Sequence, residues 1–261
     1  MNWGYHNGEE ENKIQHEDSL VLSQAQINQV LPEASLWEIE KFSLQLYRKN
    51  ISAVPGGLAG KDIADVSCGK GGGIRMLSEL GAVGDKAEPR TTVGMDFSPV
   101  NISECKENYT SEGKRRPAGL SFQQGSATHM PFADGSKDVI VSVEASHCYP
   151  SKLQFLKEAH RSLKPDGRLC IIDFMRDFQY DDYKRWIEEA GLVLERDESV
   201  TKEVLRASAK VSAEKEAIIE ERSPFYMKYF ARRFFNTADS VTFNKFASGV
   251  YDYRWFTIRK A

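Results

Sequence analysis

The run Ile63-Ala64-Asp65-Val66-Ser67-Cys68-Gly69-Lys70-Gly71-Gly72-Gly73 has the residue types to cradle a nucleotide-like ligand. An apolar strand runs into a glycine turn, where the backbone can take positive φ and approach a ligand with no Cβ in the way. The amides that open the next helix, expected near Ile74, then face that ligand. Asp96 ends the following strand, where a carboxylate can accept both ribose hydroxyls and would repel a 2′-phosphate. The loop Gly125-Ser126-Ala127-Thr128-His129-Met130-Pro131-Phe132 follows a third strand, at a place where an adenine can lie. A dinucleotide fingerprint fits poorly, because Gly69-Lys70-Gly71-Gly72-Gly73-Ile74 has too many early glycines and lacks the last one. A P-loop is excluded, since no Gly-Lys-Ser/Thr follows the turn.

The elements that must position these residues alternate. Strands are predicted at 61–67, 91–96, 120–124, 138–144 and 168–174, with helices at 99–112 and 151–163 between them. Lys164-Pro165-Asp166-Gly167 is read as the stop of the second of these helices. Such alternation implies right-handed crossovers and a mostly parallel sheet. Before it, Ser23 to Asn50 reads as a helix with Leu36, Ile39, Phe42, Leu46 and Tyr47 on one face. Met1 to Leu20 is polar and acidic, a mobile arm apart from Trp3 and Tyr5. After the alternating stretch come a helix at 180–190 and two late strands, 192–200 and 252–258, read as an antiparallel edge pair. Between those strands Lys202 to Phe246 is helical, with Phe225, Tyr226, Tyr229, Phe230, Phe234 and Phe235 clustered in it.

Composition narrows the class. The 261 residues are 41% hydrophobic and 28% charged, which suits a soluble globular chain of one domain with an appendage. A net charge of −3 argues against nucleic acid as a partner. Lys114, Arg115 and Arg116 read as a solvated loop. Cys68, Cys105, Cys148 and Cys170 show no metal-finger spacing and read as reduced thiols. No secretory leader and no apolar run long enough to span a bilayer are evident, so the cytoplasm is the expected location.

Asp-Val-Ser-Cys-Gly-Lys-Gly-Gly-Gly, then Gly-Met-Asp, then Met-Pro-Phe-Ala-Asp-Gly-Ser-Lys-Asp-Val, then Leu-Lys-Pro-Asp-Gly-Arg-Leu together resemble the class I S-adenosylmethionine-dependent methyltransferases. Asn2-Trp3-Gly4-Tyr5 and Val143-Glu144-Ala145-Ser146-His147-Cys148-Tyr149-Pro150 resemble more narrowly the phthiotriol/phenolphthiocerol dimycocerosate O-methyltransferase group. The resemblance implies a Rossmann-like α/β fold, with a mostly parallel seven-stranded sheet and helices on both faces. It also implies an N-terminal arm and helical cap (1–55), a cofactor-binding core (56–200), a helical acceptor-pocket insertion (201–250) and a closing strand (251–261).

S-adenosylmethionine is then the cofactor and S-adenosylhomocysteine the product. The implied cofactor-binding residues are Tyr5, Ser67, Gly69, Gly71, Asp96, Phe97, Ser126, Ala127 and Glu144. Most of the superfamily has an acidic residue where this chain has Ser126, so the hydroxyl or the Ala127 backbone must serve the adenine. Glu144 has a structural alternative, bonding loop amides at its strand end. Transfer to a hydroxyl needs a base, because the product oxygen cannot keep its proton. His147 is the expected base and Asp173 its orienter; the bland alternatives for His147 are capping the next helix or packing on Tyr149. Cys68 and Cys148 are expected to be packing residues, Arg232 and Arg233 surface charges, and no metal is required. Part of the aromatic insertion is expected to line a pocket for a small hydrophobic acceptor, a phenol, polyketide or lipid-like hydroxyl. N-, S- or C-methylation on the same scaffold, a cofactor-binding regulatory protein without activity, and a nicotinamide oxidoreductase are the rivals.

Overall fold

A computed structural model describes residues 37–80, 88–109, 119–176 and 179–261. The arm with Trp3 and Tyr5, the first half of the N-terminal helix and the basic loop at 114–116 lie outside these residues. The described chain opens with α1 (Trp37–Ile51), then β1 (Asp62–Val66), α2 (Gly72–Leu80), β2 (Thr91–Asp96) and α3 (Pro99–Tyr109). β3 (Leu120–Gln124), β4 (Lys137–Val143), α4 (Lys152–Ser162), β5 (Leu163–Arg176), α5 (Tyr180–Glu189) and β6 (Leu192–Ser199) follow. Four helices, α6 (Thr201–Lys210), α7 (Ser212–Arg222), α8 (Lys228–Phe235) and α9 (Val241–Ala247), precede the last strand, β7 (Tyr251–Lys260).

The seven strands form one sheet in the order β3-β2-β1-β4-β5-β7-β6. All are parallel except β7, which runs antiparallel to both neighbours. The late strands do form an antiparallel pair, and only β6 is the edge. The helix stops just before Lys164-Pro165-Asp166-Gly167, as expected, and the run itself belongs to β5, where Asp166 has φ 59° and the register against β4 shifts. The turn residues make a bulge because Leu163 already pairs with Lys137 ahead of them.

The pleat sends alternate residues into two cores. Ile63, Val139, Val141, Cys170, Ile172 and Trp255 pack on the α1 and α2 side. Ala64, Ile140, Leu169, Ile171, Phe256 and Ile258 pack on the α4 and α5 side. Strands buried on both faces read as the near-continuous apolar runs seen in the sequence. Asn50 ties α1 to the sheet. Its side chain donates to the Cys170 carbonyl (3.1 Å), and its own carbonyl accepts from the Trp255 indole (3.2 Å).

α1 also fixes the glycine turn. The Tyr47 hydroxyl donates to Asp65 at 3.0 Å, which lays the ring on Gly73, where a Cβ would sit 2.1 Å from a ring carbon. A Cβ on Gly72 would meet nothing within 4 Å. Gly73→Ala should therefore lower stability by about 1–3 kcal/mol in urea unfolding, because the pinned ring must move. Gly72→Ala should be neutral or stabilising by about 0.5 kcal/mol. Equal effects of the two substitutions would rule out the Tyr47 contact as the reason for glycine at 73.

Candidate active site

The carboxyl ends of β1, β2, β4 and β5 converge on one edge of the sheet, because these strands are parallel neighbours. Past β1 the chain turns sharply. Ser67 (φ 67°), Gly69 (φ 56°) and Gly71 (φ 79°) are left-handed, and the Ser67 and Cys68 amides both donate to the Met95 carbonyl at 2.7 and 2.9 Å. The two glycines differ in purpose. A side chain at Gly69 would project into open space, whereas at Gly71 it would strike Phe122 and Cys105 at 2.8 and 2.9 Å. Gly69 therefore leaves the turn open, and Gly71 lets it pack.

Asp96 takes three donors: the Gly69 amide on one oxygen (2.9 Å), the Ser98 amide (2.9 Å) and Asn101 Nδ2 (3.1 Å) on the other. A carboxylate has about four lone-pair positions, so one acceptor position is left. Beside it Phe97 is 75% exposed, an isolated apolar face next to a polar turn. Gln124 holds that loop by donating to the Phe97 carbonyl at 3.1 Å. Across the edge the Ser126 hydroxyl is turned into its own loop, 3.0 Å from the Thr128 hydroxyl and accepting from the Thr128 amide. Ala127 is buried beneath it.

Beyond β4, Ser146–Cys148 make one 3₁₀ turn. Asp173, near the end of β5 and wholly buried, organises that turn. One carboxylate oxygen accepts from the Ser146 hydroxyl (2.6 Å) and the His147 amide (2.8 Å); the other accepts from the Phe174 amide (2.8 Å) and lies 2.8 Å from His147 Nδ1. With Nδ1 donating to the carboxylate, the neutral ring keeps its free lone pair on Nε2. Burial alone would depress the His147 pKa. The hydrogen bond and charge of Asp173, and the more distant charge of Glu144, more than reverse this and carry it above the usual value. His147 caps no helix: Ser151 is the cap of α4, accepting the Gln154 amide at 3.1 Å. Its ring packs on Phe174 at 4.2 Å, not on Tyr149. The Tyr149 hydroxyl instead sits 3.2 Å from the Val66 carbonyl and 3.1 Å from the Ser67 hydroxyl, binding this turn to the glycine turn.

Glu144 has φ 50° and donates its amide to the Ile172 carbonyl at 2.8 Å. Its carboxylate faces the buried Tyr253 phenol, whose pKa burial and Glu144 push up. Lys215 is buried on α7, and burial lowers its pKa to about 8 against the pull of the Glu144 charge. Nothing in the sequence marked Lys215, since a lysine on an amphipathic helix reads as solvated.

Above His147 opens a cavity of about 880 Å³. Its floor is Glu144, His147 and Phe174, and its walls include Met227, Phe230, Phe235 and Tyr251. Of the aromatic cluster, Phe230 and Phe235 line it, whereas Phe225, Tyr226 and Tyr229 stand exposed on the outside and do not. Arg232 and Arg233 are both surface charges: Arg232 pairs with Glu216 (2.9 Å) and Glu220 (2.7 Å), and the exposed Arg233 also lines the cavity. A helical step of one residue turns the side chain to another face. Cys68 is buried as expected; Cys148 is exposed at the cavity and packs in no core.

A methyltransferase-domain family model matches residues 64–171, the stretch that builds this edge. The Mycobacterium ulcerans protein named "Probable phthiotriol/phenolphthiotriol dimycocerosates methyltransferase 2" is 30% identical over 205 residues, covering 78% of this chain and 74% of that protein. The chain belongs to the class I S-adenosylmethionine-dependent methyltransferases. A Mycobacterium leprae phthiotriol/phenolphthiotriol dimycocerosates methyltransferase is 28% identical over 230 residues, 88% of this chain and 80% of its own length. Among solved structures, a candidate sarcosine dimethylglycine methyltransferase from Galdieria sulphuraria superposes with a TM-score of 0.70 at 22% identity, covering 85% of this chain and 88% of that one. The methyltransferase has no helix, among the described residues, long and apolar enough to cross a membrane.

Asp65 is the buried charge under the methyltransferase's glycine turn. Burial raises its pKa to about 7, the Tyr47 hydrogen bond opposes the rise and the nearby Asp96 adds to it. A raised folded-state pKa means that the folded protein holds a proton the unfolded chain has released. Stability therefore falls as pH climbs from the ordinary carboxylate range towards 7, and levels off above it. Between pH 5 and 8, wild type should lose up to about 2 kcal/mol more in urea unfolding than Asp65→Asn. Parallel profiles for the two proteins would show that Asp65 does not carry this proton.

Proposed function

We propose that the enzyme methylates a hydroxyl on a small hydrophobic, lipid-like acceptor, with His147 as general base and Asp173 as the residue that orients it. The observation that carries this reading is the buried Asp173 carboxylate, which holds His147 Nδ1 at 2.8 Å at the floor of an apolar-walled cavity. Ser67, Gly69, Gly71, Asp96, Phe97, Ser126, Ala127 and Glu144 surround the cofactor side in this reading. Gly69 leaves backbone room, Asp96 offers its remaining acceptor position to a ribose hydroxyl, and Phe97 offers a flat apolar face to adenine. The Ser126 hydroxyl is engaged with Thr128, so the loop backbone at Ala127 is the better partner for the adenine edge.

When bound, S-adenosylmethionine supplies an electrophilic sulfonium methyl. The chain's own residues do the rest. His147 Nε2 takes the acceptor's proton as its oxygen attacks, and Asp173 stabilises the imidazolium without accepting that proton. Phe174 packs against the imidazole at a tilt of 34°, with ring centres 4.2 Å apart. The cavity walls exclude water and fix the acceptor, so that much of the barrier is lowered by alignment, on the order of 7 kcal/mol in favourable cases. The two relatives are named for phthiotriol and phenolphthiotriol dimycocerosates, which agrees with a lipid-like acceptor here.

With a panel of phenols, long-chain alcohols and amines as acceptors, His147→Ala should cut kcat for a hydroxyl acceptor by about 10²- to 10⁴-fold. S-adenosylhomocysteine affinity should stay within about three-fold. Rate should fall as pH drops through the raised His147 pKa, and Asp173→Asn should move that inflection to lower pH. Turnover of a hydroxyl acceptor by His147→Ala within about three-fold of wild type would remove the base from the mechanism. Turnover confined to amines would replace O- with N-methylation.

A further inference from the structure

The cavity over His147 is apolar in its walls but not at its rim. Arg222, Arg233 and Lys245 all line it, and Glu144 on the floor is the one carboxylate among its lining residues. Neighbouring cations of the same helical cap are already neutralised. Arg232 bridges Glu216 and Glu220, and Lys228 pairs with Glu220. Arg222, Arg233 and Lys245 form no ion pair with any described residue.

Lys245 and Arg233 stand with Arg176 at the Tyr251 end of the cavity. The Lys245 ammonium lies 5.5 Å from the centre of the Tyr251 ring and the Arg176 guanidinium 5.7 Å from it. The Tyr251 phenol has its pKa lowered, first by a hydrogen bond from Arg176 against the effect of burial, then by the charges of Lys245, Arg176 and Arg233. At the other end stands His147. An aromatic wall joins the two, with the His147 ring 4.2 Å from Phe174 and Phe174 5.8 Å from Tyr251. A wholly apolar acceptor would bring nothing to meet the three rim cations. An arginine beside a lysine is suited to a planar or tetrahedral oxyanion, with charge-assisted bonds about twice as strong as neutral ones.

We propose that the acceptor is amphiphilic and anionic: a carboxylate or phosphate group seats against Arg233 and Lys245 beside Tyr251, its apolar body lies along Phe174 and Tyr251, and its reacting end reaches His147. Only the last clause rests on the hydroxyl reading above. The rim cations set which molecules enter and in which direction.

The test uses four probes of equal length, 10-hydroxydecanoic acid, 10-hydroxydecyl phosphate, 1,10-decanediol and 10-amino-1-decanol. Each is titrated by calorimetry into the full chain saturated with S-adenosylhomocysteine, at low and at physiological salt. One or both anions should bind at least about ten-fold tighter than the diol. The amine should bind no tighter than the diol, and the anion advantage should shrink as salt rises. The tighter of the two anions identifies carboxylate or phosphate as the natural group. In the double variant Arg233→Gln, Lys245→Gln, the anion advantage should drop to about three-fold or less while diol affinity is kept, a readout that an unfolded variant would not give. A diol that binds as tightly as both anions, a preferred amine, an unchanged anion advantage in the double variant, or no binding by any probe would each overturn the proposal. Anion preference without methyl transfer to any of the four would leave it standing and bring down the hydroxyl reading instead.

Discussion

A carboxylate buried with no cation beside it is costly unless its lone pairs are filled, and Asp173 has all of its filled by the residues it has to position. Ser146, the His147 amide, the His147 ring and the Phe174 amide converge on its two oxygens. The chain after β4 is thereby forced into a tight turn that holds one imidazole against β5. Removing any of these donors leaves a buried charge short of a partner, so the turn, the strand end and the ring orientation stand or fall together. The floor of the acceptor cavity inherits its rigidity from this one group.

The two sides of the site are built by different physics. On the cofactor side the sheet edge supplies backbone amides and carboxylates, with tight turns keeping side chains out of the way. Over the cavity four helices inserted before the last strand supply bulk. These helices are anchored by few buried residues, Val204, Ala207, Ile219 and Phe246 among them, and Phe246 packs on Phe174, Tyr251 and Tyr253. Such an arrangement allows the cap to change in evolution without disturbing the edge, because fold and cofactor site do not dictate the acceptor.

Much of the edge was legible in the sequence because it is local. The glycine turn and the ends of β1, β2 and β3 follow from short runs whose spacing is set by strand and turn geometry. His147 and Asp173 were legible because parallel neighbours bring strand ends together. What the sequence concealed depends on long-range contact. Gly73 is glycine for the Tyr47 ring on another element, and the role of Gly71 is packing against Phe122 and Cys105. The Lys-Pro-Asp-Gly run stops the helix as its residues direct, but that it lies within β5 as a bulge depends on β4 pairing on both sides of it. Arg232 and Arg233 are indistinguishable by type and differ only in the face they occupy. Lys215 reads as solvated by its type, and the fold buries it.

The antiparallel strand β7 has a consequence for biosynthesis. It slots between β5 and β6, with pairs running from Arg168↔Arg259 to Arg176↔Tyr251 on one side and from Leu192↔Lys260 to Ser199↔Arg254 on the other. While the ribosome is still making the cap, β5 has no partner on that flank and β6 has none at all. The strand that carries Asp173 is then an open edge rich in Cys170, Ile171 and Ile172, a template for pairing with other chains. The sheet closes only once β7 has emerged, so the nascent protein has a period of vulnerability that a shorter-range topology would not impose.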